Sequence, residues 1–141
     1  LYLRRLLGNT NMDKFYGTII EESLEDKSIL NKVDIISTEV KQATEKYKTP
    51  WVNQWTLHDV EIDPKDVENI AEEISKSLDS RHAWYADFKN EATHYIIFKD
   101  KVFKIDRTNV NQYNEATKYG ISLGIPDYQV DFAPNVIRWE H

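Results

Sequence analysis

Hydrophobic residues recur along this chain with two periods, and the change of period marks the change of predicted element. After position 63 the apolar residues are three or four positions apart, as on one helix face: Val67, Ile70, Ala71, Ile74 and Leu78. Asp63 and Pro64 supply a capping side chain and a first-turn proline, so a helix of about four turns is predicted to start there. A poorer stripe predicts a second helix that Thr108 or Asn109 caps and Gly120 ends.

Elsewhere apolar and polar residues alternate with the period of two that is typical of β-strands. The alternation predicts strands at 15–20, 34–44 and 55–62, three consecutive antiparallel strands within 83–107, and a short last strand at 128–132. The element order is therefore β, β, β, α, β, β, β, α, β. This order predicts an α+β fold, a two-layer sandwich with two helices packed on one face of a mainly antiparallel sheet.

Strand parity divides the side chains of segment 83–107 between two faces of the sheet. A turn of even length near Asp100 pairs even positions before it with odd positions after it. With the first strand alternating in the same sense, the core face contains Trp84, Ala86, Phe88, Ile96, Phe98, Phe103 and Ile105. The opposite face then contains Tyr85, Asp87, Lys89, Tyr95, Ile97, Lys104 and Asp106.

The second face is rich in Tyr, Asp and Lys, and two interpretations of it stay open. Cross-strand pairs of these residue types are normal on a solvated sheet surface. The same groups would suit the floor of a ligand pocket, with the tyrosines as walls and the charges orienting the ligand. The candidate ligand-binding residues of this face are Tyr85, Asp87, Tyr95 and Lys104.

Two tryptophans form a second candidate binding group. Trp51 and Trp55 are four residues apart, and His58 follows them. Together they would line an aromatic cleft that stacks on a ligand. The alternative is that they seal the edge of the sheet and that each indole N–H finds a partner there.

His58 shares a predicted strand face with Val60 and Ile62, which favours a buried histidine with satisfied hydrogen bonds over a metal ligand or base. An enzymatic alternative remains. In it, His58 acts with Asp59 or Asp87 as the base of a small hydrolase or isomerase. No motif assigns a catalytic residue, because the chain has neither a G-x-S-x-G elbow nor a phosphate-binding glycine loop.

The other histidines carry weaker signals. His82 is predicted to be exposed in the loop 79–82, and His94 begins a predicted strand. No two histidines have H-x-x-x-H or H-E-x-x-H spacing, and the chain has no cysteine. We therefore expect no metal site and no cofactor.

Composition narrows the classes of partner. The 141 residues are 40% hydrophobic and 30% charged, as in a single globular domain. The net charge of −6 and the pI near 5.2 argue against a broad nucleic-acid contact, and no apolar run is long enough to span a membrane. We expect a small-molecule ligand, or a second copy of the chain in a homodimer, and neither nucleic acid nor membrane. The lack of cysteine favours a reducing cytoplasm.

The first eleven residues differ in composition from the rest, with two arginines and no acid. We interpret residues 1–11 as an extension that precedes a natural start at Met12, and residues 12–141 as one α+β domain. The alternative is an N-terminal helical turn that docks on the body of the domain.

Several blocks of the sequence resemble those of a family of short microbial proteins of unknown function. They are YGTIIEESL, TPWVNQWTLH, WYADFKN, HYIIFKDKVFKIDR and YGISLGIPDYQVDF. The resemblance runs from about Tyr16 to Phe132. It implies a self-contained cytoplasmic protein that begins near Met12, and it implies no role for any particular residue.

Overall fold

The computed structural model describes residues 13–42 and 51–132. These residues contain six strands: β1 (Phe15–Ile20), β2 (Asp34–Gln42), β3 (Gln54–Ile62), β4 (Tyr85–Lys89), β5 (Thr93–Phe98) and β6 (Lys101–Asp106). They also contain the helices α1 (Val67–Ser77) and α2 (Val110–Ser122), with short 3-10 helices at Glu21–Ser23, Lys27–Asn31 and Asp127–Gln129. The predicted N-terminal extension lies outside the described residues.

One sheet contains all six strands in the order β2-β3-β1-β4-β5-β6, and every neighbouring pair is antiparallel. The predicted α+β fold, with a mainly antiparallel sheet and two helices, is confirmed. Each helix packs on the sheet as a second layer. No helix within residues 13–42 and 51–132 is long and apolar enough to cross a membrane.

Local sequence signals account for both helices. The five residues of the predicted stripe along α1 are all buried. The helix begins at Val67, later than the predicted start, because the backbone N–H of Asp66 donates to the Asp63 carbonyl at 3.0 Å in a preceding turn. On α2 the predicted cap is confirmed, since the Asn109 side chain accepts a hydrogen bond from the backbone N–H of Gln112 at 3.1 Å.

The two helices cover opposite faces of the sheet, which corrects the predicted packing on one face. The stripe of α1 belongs to a core cluster with Ala86, Phe88, Tyr95 and Ile97, whereas α2 packs on Ile96, Phe98 and Ile105. Residues 95 and 97 of β5 point to one face and residues 96 and 98 to the other, because successive strand side chains alternate. We call these two sides the α1 face and the α2 face.

The register between β4 and β5 explains this correction. Ala86 lies opposite Ile97, and Lys89 lies opposite His94, so even positions of β4 pair with odd positions of β5. The four residues 90–93, which separate the paired Lys89 and His94, set that parity. The Asn90 side chain holds it by accepting hydrogen bonds from the backbone N–H groups of Ala92 and Thr93, at 3.0 and 2.8 Å. The prediction for β5 and β6 is confirmed, since Ile96 lies opposite Phe103.

The predicted last strand is absent from residues 128–132, where a 3-10 helix is followed by irregular chain. Local hydrogen bonds stabilise this turn, and the Thr117 hydroxyl donates to the Val130 carbonyl at 2.6 Å. Gly120, predicted to end α2, instead lies within it and is buried. A Cβ there would be 2.7 Å from Val130 Cγ1, so this glycine permits close packing. The glycine in the left-handed region is Gly124, with φ 94°.

Candidate functional site

The polar sheet face predicted from the sequence does not exist as one surface. Tyr85 and Asp87 lie on the α2 face, because Tyr85 is opposite Phe98 and Asp87 is opposite Ile96. Tyr95 lies opposite Lys104, and both belong to the α1 face. The four candidate residues are therefore divided between opposite sides of the sheet, and the prediction that they share one face is wrong.

On the α1 face, Tyr95 and Lys104 have structural roles. Tyr95 is buried, and its ring meets that of Phe15 edge to face, with centroids 5.4 Å apart. Lys104 Nζ lies 5.9 Å from the Tyr95 ring centroid and 3.5 Å from Glu68 Oε1 on α1. Interaction with Tyr95, and secondly with Glu68, raises the pKa of Lys104 above 10.5. Lys104 thus links the sheet edge to α1.

On the α2 face, Asp87 belongs to a buried chain of hydrogen-bonding groups. His94 Nε2 is 2.7 Å from Asp87 Oδ2, and His94 Nδ1 is 2.9 Å from the Tyr113 hydroxyl. All three residues are buried, with His94 and Tyr113 each 1% exposed. Tyr85 lies beside this chain, and its hydroxyl donates to the Gln129 carbonyl at 2.8 Å. These contacts join the sheet to α2.

Sequence reasoning missed His94 and Tyr113 because the predicted register put Asp87 and His94 on different faces. With Lys89 opposite His94, residues 87 and 94 become diagonal neighbours on the same face. With the correct register, the sequence would have predicted a contact between this acid and this histidine.

His58 is a buried histidine with both ring nitrogens hydrogen-bonded. Its Nδ1 is 2.8 Å from the Thr38 hydroxyl, and its Nε2 is 2.8 Å from Glu21 Oε1. Asp59, the next residue on the strand, accepts hydrogen bonds from the Thr18 and Ser37 hydroxyls at 2.9 and 3.0 Å. The structure thus pairs His58 with Glu21, and not with either aspartate of the enzymatic alternative.

Trp51, a member of the second candidate group, contacts two residues outside that group, His82 and Trp84. The Trp51 indole stacks on the His82 imidazole, with ring centroids 3.9 Å apart and an interplanar angle of 11°. Trp84 meets Trp51 edge to face at 6.0 Å and Trp55 at 5.7 Å. Trp84 therefore lies between the two tryptophans that the sequence had paired. We call Trp51, Trp55, Trp84 and His82 the tryptophan–histidine cluster.

A buried carboxylate holds the imidazole of this cluster. Asp79 Oδ2 is 2.7 Å from His82 Nδ1, and Asp79 Oδ1 accepts a hydrogen bond from the Arg81 backbone N–H at 2.9 Å. The Asp79 backbone N–H donates to the Ser23 carbonyl at 2.8 Å, which ties the loop to the body of the domain. The ring of His82 is therefore positioned before any ligand arrives.

The ionised carboxylate of Asp79 determines which ring nitrogen of His82 carries a proton. Burial by itself raises the pKa of the Asp79 carboxyl, but the Arg81 N–H, the hydrogen bond to His82 and nearby positive charge outweigh it and hold the pKa below 3.8. The ionised carboxylate accepts hydrogen bonds only, so Nδ1 of His82 carries a proton. The other nitrogen, Nε2, has no hydrogen-bond partner among the residues that the structure describes.

One part of the cluster is exposed to solvent, and another part contains a buried hydrogen-bond donor without a partner in the described part of the chain. Trp51 is 40% exposed, and the His82 side chain is 28% exposed. Trp84 is buried, and its indole Nε1 has no hydrogen-bond partner within residues 13–42 and 51–132. Leaving a buried donor unpaired costs about 1–3 kcal/mol, so such a group in a native structure calls for an explanation.

Charge near the cluster is supplied by Arg81. Its side chain is 81% exposed, and its Nε lies 3.6 Å from Asp79 Oδ1. No group of three or more histidine, aspartate or glutamate residues in the described part of the chain could hold a metal ion. The chemistry that this region offers is therefore stacking, one free imidazole nitrogen and one guanidinium.

Comparison of the chain with protein-family models, with curated proteins and with solved structures finds no match. The resemblance to a family of short microbial proteins therefore stays a prediction.

Proposed function

We propose that this protein is a small ligand-binding domain whose site is the tryptophan–histidine cluster. The ligand class is a planar aromatic molecule that carries a carboxylate or phosphate group. The single observation that carries the proposal is the stack of solvent-exposed Trp51 on His82, which buried Asp79 holds in place.

The exposed stack supports binding more than edge sealing. A tryptophan that only seals an edge buries its ring, whereas Trp51 keeps 40% of its surface exposed. Tryptophan supplies a large rigid contact area with little conformational entropy to lose, and here the stacking partner is already fixed. A planar ring on the exposed part of the Trp51 indole would extend the stack.

Two hydrogen-bond donors support an anionic substituent on that ring. The Arg81 guanidinium suits carboxylate or phosphate because its planar fork can make two hydrogen bonds to either group. With the proton on Nδ1, His82 Nε2 is an acceptor in the neutral imidazole, so it suits a hydrogen-bond donor on the ligand ring. The N–H of Trp84 is a further donor beside the stack, and an acceptor that reached it would satisfy it.

Isothermal titration with a matched pair of probes tests this proposal. Adenosine monophosphate has both a planar base and a phosphate, whereas ribose phosphate lacks the base. We expect the wild-type protein to bind the first more tightly than the second. Trp51→Ala should weaken binding of the nucleotide by about fivefold or more, because stacking on one base contributes about 1–3 kcal/mol.

The matched control is Tyr16→Ala, since Tyr16 is an aromatic residue with a similar exposure of 37% on β1. This variant should bind the nucleotide as the wild type does. Equal affinity of Trp51→Ala and wild type, or equal loss in Tyr16→Ala, would contradict the assignment of the site. Failure of the wild type to bind at about 10 mM probe would contradict the ligand class.

We also propose a cytoplasmic location. The cysteine-free sequence supports it, because a protein without thiols gains nothing from an oxidising compartment. Fractionation of cells that express the native protein tests this; recovery from an extracytoplasmic fraction would contradict it.

A further inference from the structure

Strand β2 is an edge strand with unusual exposure. All nine of its residues are exposed, and β3 is its single neighbour in the sheet of described residues. Three of the eight exposed large hydrophobic residues in the described chain lie on this one strand: Ile35, Ile36 and Val40. An exposed edge strand of this length is a template for pairing with another strand.

Only the second half of β2 is regular enough to accept a partner strand. A bulge between Ile35 and Ser37 shifts the register against β3, and bulges usually discourage edge pairing. From Thr38 to Gln42 the pairing with β3 is continuous. The segment 38–42 therefore presents an edge without a register shift to a partner strand.

The charges on this segment are complementary to their own copy. A two-fold axis perpendicular to the sheet places one residue opposite itself and places residues equidistant from it opposite each other. With the axis at Val40, Glu39 of each copy lies opposite Lys41 of the other, and Thr38 lies opposite Gln42. Val40, which is 55% exposed, then packs on Val40 of the second copy.

Neighbouring registers lack this complementarity. An axis at Glu39 opposes two glutamates, and an axis at Lys41 opposes two lysines. An axis at Thr38 opposes no opposite charges and brings the bulge into the pairing. Neither Glu39 nor Lys41 has an ion-pair partner among residues 13–42 and 51–132, so both charges are available to a second copy.

We propose that the chain forms a homodimer by antiparallel pairing of β2 with β2 of a second copy, centred on Val40. The dimer joins the two six-stranded sheets edge to edge. The unpaired charges of the single chain discourage other strands, while the two reciprocal Glu39–Lys41 pairs favour its own copy. This proposal does not rest on the ligand site.

Charge-swap variants test the register directly. We expect the wild type to sediment as a concentration-dependent dimer. Glu39→Lys and Lys41→Glu should each raise the dissociation constant about tenfold or more, because each puts like charges opposite each other at both ends. An equimolar mixture of the two single variants should dimerise, since the lysines of one face the glutamates of the other. The double variant E39K/K41E should dimerise as the wild type does.

Lys118→Glu is the matched control, because it makes the same charge change at an exposed position on α2. It should leave the dimer unchanged. A wild type that stays monomeric up to about 0.5 mM would overturn the proposal, as would single variants that dimerise like the wild type or a mixture that does not recover. All these side chains are exposed, so circular dichroism should show every variant folded.

Discussion

His94 Nε2 lies 2.7 Å from Asp87 Oδ2, and neither side chain is more than 7% exposed. The other nitrogen of the imidazole, Nδ1, lies 2.9 Å from the Tyr113 hydroxyl. Three polar groups inside an apolar cluster therefore join β4, β5 and α2. Buried polar groups of this kind fix one arrangement of a core, because each is costly if it loses its partner. Part of the face that the sequence suggested as a binding surface thus holds α2 on the sheet.

Asp87→Ala should destabilise the fold by about 3 kcal/mol, because it removes one member of a buried pair and leaves His94 Nε2 without its partner. Urea denaturation of Asp87→Ala, His94→Ala and the double variant measures this. The double variant should lose less than the sum of the single losses, because the residues are in contact.

The exposed pair of Lys32 and Glu73, at 2.9 Å, provides the control for this prediction. Lys32→Ala should change the stability by about 0.5 kcal/mol or less, since solvent screens that pair. A loss below about 1 kcal/mol for Asp87→Ala would show that the buried pair contributes no more than a surface one.

The burial of the Tyr113 hydroxyl predicts that the stability of the fold decreases at alkaline pH. Burial raises the pKa of its hydroxyl above 10.0, with nearby Arg107 opposing the shift. Because the folded state keeps the neutral phenol while the unfolded state ionises, the stabilisation is complete below pH 10 and is lost as the pH rises through the folded pKa. Tyr113→Phe should therefore lose less stability than the wild type between about pH 9 and about pH 11. Parallel pH profiles would contradict the burial argument.

The lowered pKa of Asp79 predicts that the stability of the fold decreases at acid pH. The pKa of its carboxyl is lowered below 3.8 in the folded protein, so its contribution is present above that value and is lost as the pH falls through the folded pKa. Asp79→Asn should cost about 1–2 kcal/mol at neutral pH, and the gap to the wild type should narrow in acid. Thermal denaturation across the acid range checks this. A gap that stays constant with pH would mean that the carboxylate charge is irrelevant.

Gly17 is predicted to be the least replaceable glycine among the described residues. It lies on β1 between β3 and β4, and an added Cβ would overlap the Asp87 carbonyl oxygen and lie 2.7 Å from Phe88 Cδ1. Gly17→Ala should cost about 3 kcal/mol or more, because neither obstacle can move without shifting β4. Gly124→Ala, where open space surrounds the Cβ and φ is 94°, should cost about 1 kcal/mol. Equal midpoints in urea for the two variants would contradict this difference.

The parts of the fold that depend on local sequence were predictable. The spacing of Val67, Ile70 and Ile74 is enough to place α1, and the two-residue turn between Phe98 and Lys101 is enough to fix the faces of β5 and β6. The β4–β5 register depends on how the Asn90 side chain closes a longer loop, and no periodicity contains that information.

The candidate site was harder to predict because its members are far apart in sequence. The sequence predicts Trp51 as a candidate, but its stacking partner His82 is thirty-one positions away, in a loop that the sequence predicts to be exposed. The anchoring role of Asp79 depends on the Ser23 carbonyl, which only the folded chain brings near. Residue types alone gave no reason to join these groups.

A two-dimensional NMR titration with adenosine monophosphate tests the ligand site most directly. Indole N–H groups give separate side-chain signals, and those of Trp51 and Trp84 can be assigned with Trp→Phe variants. The proposed site predicts that these two signals and the backbone amides of Arg81 and His82 shift together and saturate with a single dissociation constant. Shifts that leave these groups unchanged and fall elsewhere, or no saturable shift at all, would contradict it.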